Sequence, residues 1–147
     1  MKKLILCAAI GWLAFQASAV EWLTDVPKAI MQAKTENKVV LMDFTGSDWC
    51  PPCKQLHKRV LTSKEFETYA AKNLVLVVVD FPEKKPQTDA VIKANKALAE
   101  QYSVNGFPTI ILVDGSGKVL SKDEHTYDDT PKQFIDKIEK LKSKPVS

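Results

Sequence analysis

The sequence predicts an α/β domain: a central, mostly parallel mixed sheet with helices on both faces. Three observations predict it. Residues 39–44 and 74–79 are nearly unbroken apolar runs, the pattern of strands buried on both faces. Segments with helical periodicity alternate with them, as a parallel sheet with crossover helices requires. Near the end of the chain, Asp114-Gly115-Ser116-Gly117 separates two short strand-like runs and predicts an antiparallel hairpin.

The first 19 residues read as an export leader and not as part of that fold. Lys2 and Lys3 precede an apolar stretch, 4–15, that is short for a bilayer span, and Ala17-Ser18-Ala19 supplies the small residues of a cleavage site. Cleavage after Ala19 would leave a domain over residues 20–141, with 142–147 as a flexible tail. The simplicity of the leader favours the bacterial periplasm, or secretion. A strand stub is expected at Glu21-Trp22. Thr24-Asp25 then opens a helix that presents Val26, Ile30 and Ala33 on one face to about Asn37.

After the strand at 39–44, residues 45–48 form a loop, and a helix runs from the first cysteine to about Leu61. Ser63 is placed to cap the next helix, with Phe66, Tyr69 and Ala70 on its inner face. Residues 81–87 hold two prolines and two lysines and read as a loop, in which Lys84 and Lys85 are solvated or steer a partner. Thr88 starts a helix that aligns Val91, Ala94, Leu98 and Tyr102. The third strand is 109–113, followed by the hairpin strand near Val119-Leu120. Thr130-Pro131 opens a last helix that turns Phe134, Ile135, Ile138 and Leu141 inward.

Composition narrows the function. The 147 residues suit one domain, and 45% hydrophobic content is enough for a core. Of 21 basic and 18 acidic side chains, the leader holds Lys2 and Lys3, so the mature chain is close to neutral. No basic stripe points to nucleic acid. Cys7 leaves with the leader, so Cys50 and Cys53 remain. A structural disulfide gains most by closing a long loop, and this one would close a very short one. A redox-active pair is the better reading. Cys50, Cys53 and His57 offer three metal ligands where structural zinc takes four, so no metal is expected. His57 reads as a surface or packing residue.

The pair sits where a buried strand passes through a loop into a helix. Free N–H groups and the positive end of the helix dipole stabilise a thiolate there, and the thiolate is the nucleophile of disulfide exchange. Cys53, Leu56 and Val60 share a helix face, so Cys53 is expected inside and Cys50 outside, facing solvent. Cys50 would then attack and Cys53 resolve. Asp43 stands in an otherwise apolar strand, and a buried carboxylate needs a reason.

Residues 39–44, followed by Trp49-Cys50-Pro51-Pro52-Cys53-Lys54, resemble the thioredoxin family, as does Gly106-Phe107-Pro108-Thr109 before an apolar strand. The likeness covers nearly all of the mature chain. It is strongest to exported bacterial thioredoxin-like proteins, including the carboxy-terminal domain of transmembrane electron-relay reductases. The resemblance implies the thioredoxin fold and thiol–disulfide oxidoreductase activity, with no cofactor beyond the Cys50–Cys53 disulfide. It makes Pro108 a cis-proline beside the disulfide and Phe107 a source of backbone groups for an extended substrate. Trp49 would shield the disulfide and join the docking surface, and Asp43 would accept the proton of Cys53. Gly106, Pro51 and Pro52 shape the loops.

Pro51 and Pro52 carry no N–H toward Cys50, no histidine lies between the cysteines, and Asp48 adds negative charge nearby. These features predict a reductase, fed by a membrane electron-relay protein and acting as a monomer on protein disulfides. The alternatives are an oxidase or isomerase, a reductant for cytochrome c maturation, and a metal-binding module.

Overall fold

The computed structural model describes residues 20–123 and 128–142. The expected leader, its cleavage site and Cys7 lie outside the described residues, as does 143–147.

The chain forms β1 (Trp22–Leu23), α1 (Val26–Glu36), β2 (Val39–Thr45), α2 (Pro51–Leu56), a π-helical turn (His57–Leu61), α3 (Lys64–Asn73), β3 (Leu74–Asp80), α4 (Asp89–Gln101), β4 (Thr109–Val113), β5 (Val119–Asp123) and α5 (Pro131–Lys142). The strand order is β1-β3-β2-β4-β5. Strands β1, β3 and β2 are parallel, while β4 runs antiparallel to both β2 and β5. The sheet is therefore mixed, with the parallel half carrying the long apolar strands.

Every residue of β2 is buried, as its unbroken apolar run requires. Alternation sorts its side chains onto two cores. Leu41 joins Leu56, Val60, Phe66, Leu76, Phe134 and Ile138 on the face covered by α2, α3 and α5. Val40, Met42 and Phe44 join Val26, Ala29 and Ala33 of α1 on the other. Asp43 falls in the same alternate set as Leu41, which places it on the α2 face.

Capping follows the sequence closely. Asp25, Ser63 and Thr88 each accept a backbone N–H from the first turn of their helix. Asn37 ends α1 in the left-handed region, where asparagine is tolerated.

Four expectations are corrected. The helix after Cys53 is not uniform: a π turn inserts at His57 and lets Val60 and Leu61 both point inward. In α4, Val91 is 42% exposed and Ala94 is exposed too. The helix leans on the sheet through Leu98 and Tyr102, as expected, together with Ala99 and the buried Asn95, whose amide donates to the Asp80 carbonyl. Strands β2 and β3 each extend one residue further than their apolar runs, through Thr45 and Asp80. Finally, α5 includes Lys142, whose ammonium bonds Asn73 and Glu139, so the end drawn at Leu141 moves by one.

Candidate active site

The site is built where β2 hands over to α2. The Gly46 carbonyl accepts the Cys50 N–H at 2.9 Å and closes a tight turn. A Cβ on Gly46 would stand 2.5 Å from the Trp49 indole, so only glycine lets that ring lie against the loop backbone. Cys50 is extended and serves as the N-cap of α2, and Pro51 supplies the preset φ of a first helical residue. Cys50 and Cys53 are joined in a disulfide with Cα atoms 5.3 Å apart. The Cys53 N–H donates to Cys50 Sγ at 3.3 Å. Because Pro51 and Pro52 have no N–H, this is the donor the helix start leaves for that sulfur.

The peptide bond between Phe107 and Pro108 is cis. The Phe107 carbonyl oxygen lies 3.8 Å from Cys50 Sγ, so a reduced Cys50 thiol has an acceptor beside it. Pro108 is buried; Gly106 is exposed in the same loop, and its carbonyl accepts the Thr109 hydroxyl. An aromatic wall rises above. Phe107 stacks on Phe81 at 5.0 Å and meets Trp49 edge-on at 6.0 Å, while Trp49 Nε1 donates to the Phe81 carbonyl at 2.7 Å. Cys50 is only 3% exposed, like Cys53. This corrects the expectation that Cys50 faces solvent: in the disulfide, the Phe107 backbone and the neighbouring loop cover it.

Asp43 is buried beneath α2, and its Oδ1 has no hydrogen-bond partner. Burial, and then the nearby charge of Asp80, push its pKa up to about 7. A cavity of about 630 Å³ opens beside it, lined mainly by apolar surface. Asp43, Cys53, Trp22, Leu61 and Val78 form its walls, with Lys54, His57 and Lys58 also bordering it. Asp43 and Cys53 thus line the same open cavity. His57 is exposed, on the cavity wall and not at Cys50.

Sequence reasoning missed the clamp behind the aromatic wall. Asp48, read only as a nearby charge, accepts the backbone N–H groups of Glu83, Lys84 and Lys85 at 2.8–3.0 Å. Those bonds, the Glu83 N–H foremost, hold its carboxyl below the usual aspartate range. Ser47 bonds the Asp80 carboxylate through both N–H and hydroxyl. Together they fix the loop that carries Phe81. The available signal was an Asp in a Gly-Ser-Asp loop, a type that bonds backbone readily. Its partners, 35 to 37 residues away, left no local trace. Lys84 and Lys85 are exposed; both give backbone N–H groups to the clamp, and Lys85 Nζ also donates to Ser47 Oγ at 3.3 Å. Among the described residues no group of three or more His, Cys, Asp or Glu could hold a metal ion, and no helix is long and apolar enough to cross a membrane.

Comparison with known proteins agrees with this geometry. Residues 26–142 match the family model of the thioredoxin-like domain. The disulfide bond reductase DsbH of Chlamydia pneumoniae is 36% identical over 106 residues, 72% of this chain and 63% of that protein. The thiol:disulfide interchange protein DsbD of Vibrio cholerae is 27% identical over 123 residues, 84% of this chain and 19% of that protein. The chain therefore spans less than two thirds of these curated relatives. A solved structure titled DsbH oxidoreductase superposes with a TM-score of 0.79 at 30% identity, covering 98% of this chain and 96% of that one.

Proposed function

The chain belongs to the thioredoxin-like domain family, and on that premise we propose that it is a thiol–disulfide oxidoreductase that reduces protein disulfides outside the cytoplasm. The observation that carries this reading is the Cys50–Cys53 disulfide at the start of α2, with the Cys53 N–H directed at Cys50 Sγ.

In the reducing direction, the Cys50 thiolate attacks one sulfur of a substrate disulfide. The substrate S–S bond breaks, one substrate sulfur leaves as a thiolate, and a mixed disulfide forms. Cys53 then gives its proton to Asp43 and attacks Cys50 Sγ, expelling the second substrate sulfur. The substrate gains two electrons and the pair is oxidised. Asp43 suits this step because a carboxyl with a pKa near 7 exchanges protons readily at neutral pH. Phe107, cis to Pro108, offers backbone groups beside the sulfur, and Trp49 shapes the surface a substrate would meet. The disulfide is the only redox group this chemistry needs.

Direction rests on donor count. A single backbone donor at Cys50 Sγ stabilises a thiolate less than several would, which supports a potential nearer thioredoxin, about −270 mV, than the strong oxidases, about −120 mV. The relative named a disulfide bond reductase fits that direction. Export through the leader and re-reduction of a monomer by a membrane relay protein complete the proposal. Similarity to a DsbD protein supports the relay partner.

Insulin reduction tests the activity. Cys50→Ser should abolish it and trap no protein partner, while Cys53→Ser should accumulate mixed disulfides at Cys50. Full turnover by Cys50→Ser would refute the assignment.

A further inference from the structure

The pairing of β2 with β3 fixes which side chains stand beside Asp43. Val78 is directly opposite, and Leu76 and Asp80 take the diagonal positions. Leu76 packs in the core on the α2 face while Val77 and Val79 pack on the other, so Leu76, Val78 and Asp80 share the face of Asp43. Of these three, Asp80 alone is charged, and its sign is that of Asp43. Strand geometry sets the two aspartate Cα atoms about 8 Å apart. Ser47 holds the half-buried Asp80 carboxylate in place, giving its N–H to Oδ1 at 2.9 Å and its hydroxyl to Oδ2 at 2.6 Å. The groups able to carry positive charge are less well placed. Lys54 and His57, with Lys58 after them, border the cavity beside Cys53 but are exposed, and Lys54 Nζ is bonded to the Asp48 carbonyl. Lys85, also exposed, bonds Ser47 Oγ. Trp22 on β1 and Ile110 on β4, the latter paired with Asp43, bring no charge.

We propose that Asp80 is a positioning residue of the resolving step: its fixed negative charge makes Asp43 a stronger base toward the Cys53 thiol. The proposal rests on the reading of Asp43 as acceptor of the Cys53 proton and adds what sets the strength of that acceptor. A buried carboxylate binds a proton more tightly still when a like charge stands close. The upward shift of Asp43, caused by burial first and Asp80 second, agrees with this. As Cys53 resolves the mixed disulfide, its proton moves to Asp43. The Cys53–Cys50 bond forms, the bond from Cys50 to the substrate sulfur breaks, and that sulfur leaves with the electron pair. Protonation of Asp43 relieves its repulsion with Asp80, so Asp80 favours the transfer without touching the reacting atoms.

Asp80→Asn tests this, because it removes the charge with little change of shape. The amide still offers an acceptor to the Ser47 N–H and a donor to Ser47 Oγ. In the oxidised protein neither Cys50 nor Cys53 titrates, so the NMR signal of the Asp43 carboxyl carbon follows that group apart from the thiols. Its midpoint should fall by about one pH unit in Asp80→Asn. Ser47→Ala, which keeps the charge, should not lower it. An unmoved midpoint in Asp80→Asn, or an equal fall in Ser47→Ala, overturns the proposal. Kinetics give a second measurement. Reduced protein mixed with excess dithiobis-nitrobenzoate releases one thionitrobenzoate as Cys50 attacks and another as Cys53 resolves; the resolving phase is independent of reagent concentration. At pH 8, Asp80→Asn should slow the resolving phase about threefold and change the first phase less than about twofold. Equal slowing of both phases marks a disturbed loop and overturns the proposal. Resolution slowed by Asp43→Asn but not by Asp80→Asn overturns it alone. Resolution indifferent to Asp43→Asn sinks the proton-acceptor reading as well.

Discussion

A carboxyl group buried beneath a helix, with another acid nearby, prefers its proton. Asp43 has its pKa raised from 3.8 to about 7 in the folded protein, first by burial and then by Asp80. The native state therefore binds this proton more tightly than the unfolded chain does. The associated stability is present below pH 4, is lost as pH rises to about 7, and is flat beyond. The full difference is on the order of 4 kcal/mol. Asp43→Asn cannot titrate, so the gap between variant and wild type in denaturant melts should move in the variant's favour from pH 4 to pH 8. A constant gap would refute the raised pKa. Asp48 makes the contrasting case, since its value lies in three backbone donors from one loop. Asp48→Ala should speed amide hydrogen exchange at Glu83, Lys84 and Lys85 while leaving the amides of β2 protected. Unchanged exchange in that loop would mean the clamp does not hold it.

Among the elements, α3 and α5 depend on one another through the Phe66 and Phe134 rings, 5.7 Å apart and almost fully buried. Phe134→Ala should cost about 3–5 kcal/mol in equilibrium unfolding, since little in the sheet can collapse into the space. A cost below about 1 kcal/mol would show that α5 packs only loosely. Both helices were legible in the sequence because each buries one clean stripe and carries its own start signal. The same holds for β2, whose apolar run has no other use. Helix α4 was misread because periodicity reports which residues align, not whether a partner surface waits for them. Val91 lies on the same stripe as Asn95, Leu98 and Tyr102 but in the first turn of α4, and it is 42% exposed. The π turn at His57–Leu61 has no sequence signature beyond an ordinary helical stretch. In the site, Cys50, Cys53 and Asp43 stood out because each breaks its local pattern, and Pro108 through the family resemblance of its loop. Phe81 and Asp48 did not, because their roles exist only after β2 and β3 pair side by side.

For the molecule as a whole, redox state and folding stability are one linked quantity. The disulfide closes a four-residue loop, from Cys50 to Cys53. Chain entropy assigns such a loop about 2 kcal/mol against the unfolded state. A reductase can express that gain, because its folded dithiol form is not specially favoured. A strong oxidase reverses it, since its reduced form is stabilised in the fold. In this chain the reduced form gains one backbone donor at Cys50, with Pro51 and Pro52 supplying none. In the oxidised form the Asp48 clamp and the aromatic wall are both made, through groups other than the sulfurs. The oxidised protein should therefore resist guanidinium chloride better than the protein held reduced, by about 1–2 kcal/mol at pH 7. Reduced protein that proved the more stable form would reverse the proposed direction of electron flow, while leaving the fold and the exchange chemistry of the pair in place.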